Sequence, residues 1–136
     1  MRVAIGTDEP HATSEAARTW LRRHGHEVVE VVVDGTRWVE VGRSVAAAVV
    51  DGRADVGLVF CWTGTGVSMA ANKVAGARAA LCTDAETARG ARRWNDANVL
   101  AVSLRLTTPT VVGEILGAFV GTPLDEDERA TIAALD

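Results

Sequence analysis

From end to end, short Val-rich runs alternate with Ala-rich stretches whose apolar residues recur at helical spacing. That alternation leaves few folds open, because strands separated by helices run parallel and are joined by right-handed crossovers. The strand runs are Val3 to Gly6, Val28 to Val33, Val56 to Phe60, Ala79 to Cys82 and Val99 to Val102. Between the first two, Thr13 or Ser14 is placed to cap a helix that turns Ala17, Trp20 and Leu21 inward and stops at Gly25. Trp38, Val41, Val45 and Val49 mark a second helix ending before Gly52, and a short third runs through Met69 to Lys73. Asp84 caps a fourth that reaches towards Trp94, and Pro109 opens a fifth that ends near Gly121.

These elements predict an α/β fold: a doubly wound, Rossmann-like sheet of five parallel strands inside a three-layer αβα sandwich. A length of 136 residues, with no linker, repeat or low-complexity segment, makes this a single domain over 1–136. Its last stretch, about 122–136, is acidic. Apolar residues make up 48% of the chain, enough for a core without disulfide staples. With four Trp, two Phe and no Tyr, that core has to come from Val-rich strands packed closely on Ala-rich helices.

The charge pattern narrows the partners. The formal charge is −4, and the one dense basic cluster, Arg89 to Arg93, reads as the solvated face of a helix, so nucleic acid is not expected. The N-terminus enters a strand directly, without a signal peptide, and no apolar run is long enough to cross a bilayer. Cys61 and Cys82 each end an apolar run and read as reduced thiols, which implies a cytoplasmic protein.

Ligands of doubly wound sheets bind beyond the carboxyl ends of the strands, where strand order reverses. The residues to watch are therefore Thr7-Asp8-Glu9, Cys61 to Gly66, Thr83-Asp84, and Ser103 to Arg105. Cys61-Trp62-Thr63-Gly64-Thr65-Gly66 stands out. Two glycines at alternate positions allow a tight turn and close approach to a ligand, and successive amides entering a helix make a nest for an anion. A thiol held in that field can serve as base or nucleophile. The plain alternative is a common strand-to-helix turn with an inert buried cysteine. The loop lacks the Lys-Ser/Thr ending of a P-loop and is not a G-x-G-x-x-G fingerprint.

Several segments together resemble the ribose-5-phosphate isomerase B and galactose-6-phosphate isomerase family of sugar-phosphate isomerases. They are Val3-Ala4-Ile5-Gly6-Thr7-Asp8, Cys61 through Ala71-Asn72-Lys73, Arg78-Ala79-Ala80-Leu81-Cys82, and Asn95-Asp96-Ala97-Asn98-Val99-Leu100-Ala101. The resemblance implies an aldose–ketose isomerase working through a cis-enediolate. Cys61 would be the base, with Thr63 and the Gly64, Thr65 and Gly66 amides forming the oxyanion site. Asp8 and Asn95 would hold sugar hydroxyls, and Arg105 the phosphate. Glu9, Trp62 and Trp94 fall on substrate-contacting positions. The family needs no metal or organic cofactor. Its members are homodimers or homotetramers with the site at the subunit interface, so the expected partners are a small sugar or sugar phosphate and further copies of the chain.

The departures from the family fall on functional positions. After the first strand the chain reads Asp8-Glu9-Pro10-His11 where Asp-His-Ala-Gly is common. Trp94 replaces the ring-opening histidine, Trp62 a glycine, and Trp38-Val39-Glu40 a Tyr-Pro-Asp segment. Asp125-Glu126-Asp127-Glu128-Arg129 stands in place of the tail's phosphate-binding Gly-Gly-Arg-His. A phosphate dianion wants several charge-assisted donors, which these changes reduce. Each change also has a bland reading: His11 as an exposed loop residue, His24 and His26 as groups that cap or solvate a helix end, Trp38 and Trp94 as core filling, Cys82 as packing. Asp8, Glu9, His11 and Glu40 could in principle ligate a divalent metal. Three functions remain in play: the isomerase, a non-catalytic ligand-binding or assembly subunit of the same fold, and a thiol-dependent redox protein.

Overall fold

All five strands form where the sequence places them, with ends shifted by up to three residues. The computed structural model describes residues 1–33 and 37–135. Strands β1 (Arg2–Thr7), β2 (Glu27–Glu30), β3 (Val56–Cys61), β4 (Ala79–Leu81) and β5 (Val99–Ser103) make one parallel sheet in the order β2-β1-β3-β5-β4. Helices α1 (Ala12–Arg23), α4 (Ala85–Asn95) and α5 (Pro109–Gly121) cover one face; α2 (Trp38–Val50) and α3 (Thr65–Asn72) cover the other. The sandwich is thus three-layered and doubly wound. Among the described residues, no helix is long and apolar enough to cross a membrane.

Burial follows position in the sheet. β3 and β5, flanked by strands and covered on both faces, are buried at every residue, which is why they read as unbroken apolar runs. Along β3, Val56, Leu58 and Phe60 enter the core under α1, α4 and α5, while Val59 and Cys61 enter the one under α2 and α3. β2 is an edge strand and stops at Glu30 rather than Val33. Val31 still donates its N–H to Ile5 O at 2.9 Å, but by Val32 the side chain is exposed.

Two helix starts agree with the sequence. Asp84 accepts the Thr87 N–H at 2.7 Å, and Pro109 fills the first turn of α5 behind Thr108, whose hydroxyl caps it. The start of α1 does not. His11 is its N-cap, with Nδ1 accepting the Thr13 N–H at 3.1 Å, so it is a partly buried structural group rather than an exposed loop residue. Thr13 and Ser14 are instead buried in the first turn, where Thr13 Oγ1 donates to Thr107 O at 2.7 Å and Ser14 Oγ to His11 O at 2.9 Å. His24 does cap the helix's far end, its ring stacked on Trp20 at 3.9 Å.

The basic cluster is not wholly solvated. Arg92 folds inward over the Phe119 ring, 5.4 Å from its centroid, and donates to Ala97 O. The acidic tail is ordered as a 3-10 turn over Glu126–Glu128 and a short helix, α6 (Arg129–Ala133). It is tied to α4 by the Asp125 N–H, which donates to Arg93 O at 2.8 Å.

The tightest helix pairing is α2 on α3, at Gly42. A Cβ there would lie 2.7 Å from both Ala70 Cβ and Val67 O. Gly42→Ala is therefore expected to wedge the two helices apart and cost roughly 1–3 kcal/mol, read as a lower urea midpoint with an unchanged slope. An unaltered midpoint would show that the pairing relaxes without cost.

Candidate active site

Strand order reverses between β1 and β3, since the chain places β2 on one side of β1 and then crosses back to place β3, β5 and β4 on the other. The carboxyl ends of β1 and β3 therefore open a crevice. Thr7 is in register with Phe60 and the Asp8 N–H donates to Phe60 O at 3.4 Å, which sets Asp8 beside Cys61. One Asp8 oxygen, Oδ1, is buried with no hydrogen-bond partner among the described residues. Burial, and secondarily the neighbouring charge of Glu9, pushes its carboxyl above the ordinary 3.8. Glu9 itself is exposed at the rim.

The Cys61 to Gly66 loop is held from β5. Leu104 N–H donates to Cys61 O, and Arg105 N–H and Ser103 Oγ both donate to Trp62 O, each at 3.0 Å. Gly64 is the N-cap of α3 with φ 76°, and a Cβ there would fall 2.6 Å from Leu81 Cδ1 and 2.9 Å from Ser103 N. No other residue fits that turn. The first intrahelical bond is Ser68 N–H to Gly64 O, so the amides of Thr65, Gly66 and Val67 are left unpaired by the helix, with no acidic side chain in its first turn. The Thr63 and Thr65 hydroxyls share a 2.7 Å hydrogen bond across the turn. Such a turn can cradle an anion, and Cys61, 5% exposed, lies at its base on the α2–α3 side of the sheet. Cys82 is different: burial, then Asp84's charge, pushes its thiol up to about 12, and it is packing.

Two exposed indoles flank the cradle. Trp62, 53% exposed, meets the His11 ring edge-on at 6.4 Å on the α1 side. Trp38, 42% exposed, is not core filling: it opens α2 and lies on Gly66, where a Cβ would approach its ring to 2.8 Å. It shares the α2–α3 side with Cys61, at one of the positions where the chain departs from the family, although it is not among the substrate contacts that the resemblance implies. Its membership of the 38-41-45-49 stripe suggested burial; its place at the helix's first position, level with the crevice, was the signal pointing the other way. Glu40 accepts from Arg37 at 2.7 Å while its Oε2 is buried and unpartnered among the described residues. Among those residues, Asp8, Glu9, His11 and Glu40 form no cluster able to hold a metal ion. Arg105 stands exposed at the rim.

Trp94 and Asn95 are not brought to this crevice. They end α4 at the opposite pole of the sheet, just before Asn98 O accepts the Gly57 N–H near the start of β3. The length of β5, about 13 Å at 3.3 Å per residue, separates that pole from Ser103 and Cys61. Trp94 is no core residue either: it lies along α4 against Gly90 and is 53% exposed. Within the same stretch Asp96 and Asn98 are structural. Asp96, at φ 46°, pairs with Arg78 at 3.1 Å, and Asn98 Oδ1 accepts the Arg78 N–H at 2.7 Å.

A family model described as Ribose/Galactose Isomerase matches residues 3–134. The chain belongs to the ribose/galactose isomerase family. Among its family relatives, the galactose-6-phosphate isomerase subunit LacB of Clostridium acetobutylicum is 38% identical over 128 residues, 88% of this chain and 72% of that protein. The D-erythrulose-4-phosphate isomerase of Pectobacterium atrosepticum is 34% identical over 125 residues, 88% of this chain and 82% of that one. Ribose-5-phosphate isomerase B of Clostridium thermocellum superposes with a TM-score of 0.93 at 31% identity, covering 99% of this chain and 95% of the other. The ribose/galactose isomerase fold is thus kept across nearly the whole chain, substituted functional positions included.

The crevice has one pH signature. Because Asp8's folded-state pKa lies above its ordinary value, its ionisation opposes folding at neutral pH, and both states are protonated below about 3.8. Asp8→Asn is expected to unfold at a higher temperature than wild type at pH 7, the gain shrinking as pH falls towards 3.8. A gain independent of pH would rule out ionisation as its source.

Proposed function

We propose that this aldose–ketose isomerase interconverts a small sugar phosphate or related sugar by cysteine-based proton transfer through a cis-enediolate. The observation that carries the reading is the placing of Cys61 beside Asp8, at the base of a cradle of unpaired amides. Cys61 takes the proton from the carbon next to the carbonyl of the opened sugar, and the C–H electron pair moves to form the enediolate. The charge then gathers on the former carbonyl oxygen, where the Thr65, Gly66 and Val67 amides and the Thr63 hydroxyl donate to it. Cys61 returns the proton to the neighbouring carbon, the hydroxyl proton passes between the two oxygens, and the product carbonyl forms. Asp8, an acceptor with a free buried oxygen, holds a substrate hydroxyl; Glu9, Trp62 and Gly64 line the rim, and Arg105 takes the phosphate.

A second copy completes the site. Asn95 and Trp94 reach a Cys61 crevice only from another chain, because their own is a strand's length away. This supports a homodimer or homotetramer with the site between subunits. The two reduced cysteines fit a cytoplasmic enzyme. One observation favours a second reading, a ligand-binding or assembly subunit: Trp94 stands where the resemblance puts the ring-opening histidine, and an indole cannot transfer that proton.

Deuterium uptake from D2O separates the two readings. A panel of tetrose, pentose and hexose phosphates and their free sugars is followed by NMR with wild type and Cys61→Ala. Uptake at the carbon next to the carbonyl, lost in the variant, is expected. No uptake across the panel with folded protein would leave the binding subunit.

A further inference from the structure

A sugar must be open before a proton can be taken beside its carbonyl, and pentoses and hexoses lie mostly closed as hemiacetals. Opening one takes the proton off the anomeric oxygen, breaks the bond from that carbon to the ring oxygen and returns a proton to the ring oxygen. The step needs an acceptor and, with it, an acid that gives up its proton near neutral pH. The crevice has acceptors in Asp8 and Glu9, but a carboxylate carries no proton to give.

Among the described residues, the acid is missing. The chain has three histidines, one lysine and no tyrosine. His11 is the one imidazole at this pole, against Trp62, and it is committed. Its Nδ1 accepts the Thr13 N–H at 3.1 Å, which puts the ring's single proton on Nε2. To act as an acid the ring needs a second proton. The only place for it is Nδ1, where it would face the Thr13 N–H and undo the cap of α1. His24 and His26 stack on Trp20 at 3.9 and 6.1 Å beyond the far end of α1, and Lys73 caps the far end of α3. The Trp38 and Trp62 indoles donate without titrating, and the guanidinium of Arg105 stays protonated. The Thr63 and Thr65 hydroxyls bond each other at 2.7 Å. Cys61 starts the proposed reaction as its base and has no proton to spare. Trp94 and Asn95, which the proposed second copy brings, add no acid either.

We propose that this site works on a sugar phosphate that is already open: one with no free hydroxyl placed to close a furanose or pyranose ring, such as a tetrose phosphorylated on its terminal oxygen. This rests on the isomerase reading above and narrows its substrate class. A pentose or hexose phosphate then reacts only as fast as its ring opens unaided.

The test follows deuterium uptake by NMR for D-erythrose 4-phosphate and D-ribose 5-phosphate over a range of wild-type concentrations. The pentose's ring-opening rate in buffer is measured separately, from exchange between its anomers. Uptake into the tetrose is expected to rise in proportion to enzyme, while uptake into the pentose levels off at the buffer rate. At low enzyme, kcat/KM for the tetrose is expected to exceed that for the pentose by roughly a hundredfold, the low end of what a placed general acid contributes. His11→Asn keeps a capping side chain, removes the imidazole, and is expected to leave that ratio unchanged. Pentose uptake that climbs past the buffer rate, or a ratio that widens in His11→Asn, overturns the proposal and leaves the isomerase standing. No uptake from either sugar overturns both.

Discussion

The contact on which the rest depends is Gly64 pressed against the backbone of β5. With φ 76° and Ser103 N at 2.9 Å from where a Cβ would stand, the loop turns over the end of the neighbouring strand with no room to spare. Three donors from Ser103, Leu104 and Arg105 then hold the carbonyls of Cys61 and Trp62. The cradle's amides are aimed because the strand behind them cannot move. A preorganised set of donors stabilises developing charge better than groups that must rearrange to meet it. In the proposed reaction, the burial of β3 and β5 at every residue would hold those donors in place.

The sheet also divides labour between its faces and its poles. Cys61 points to the side of α2 and α3, whose close pairing at Gly42 brings the Trp38 indole over Gly66. The other side carries the larger core of Leu, Ile and Phe side chains and the cap of α1. At the far pole, the Arg78–Asp96–Arg92 cluster and Asn98 lock α4 to the start of β4, and the tail closes over it. A stretch that reads as one functional motif, Asn95 to Ala101, thus splits: Asp96 and Asn98 hold the fold, while Asn95, like Trp94 before it, faces outward.

The strands and the loop were legible because their signals are local. A parallel strand covered on both faces needs an apolar run, and a strand-to-helix turn needs its glycine, whatever the remainder of the chain does. The cap of α1 was not legible, since Thr13 and Ser14 are the usual capping types and His11, two residues earlier, is not. Which of them caps the helix depends on Thr107 lying across the domain to take the Thr13 hydroxyl. For Trp38 and Trp94 the choice between core filling and an exposed role was open for a related reason. An indole in a helical stripe looks like core, and only the folded packing shows that Trp38 rests on a loop glycine and Trp94 along its own helix.

By itself the sequence determined the layer architecture, the parallel sheet, the position of the loop and the family to which the chain belongs, since periodicity and short motifs depend on near neighbours in the chain. Tertiary structure alone decided which of the candidate residues meet. Strand order set Asp8 beside Cys61 although 52 residues intervene in the sequence, and strand direction sent Asn95 to the opposite pole. The physical reason is that a parallel strand carries its two ends to opposite edges of the sheet. Residues before a strand and residues after it therefore cannot share a site within one chain.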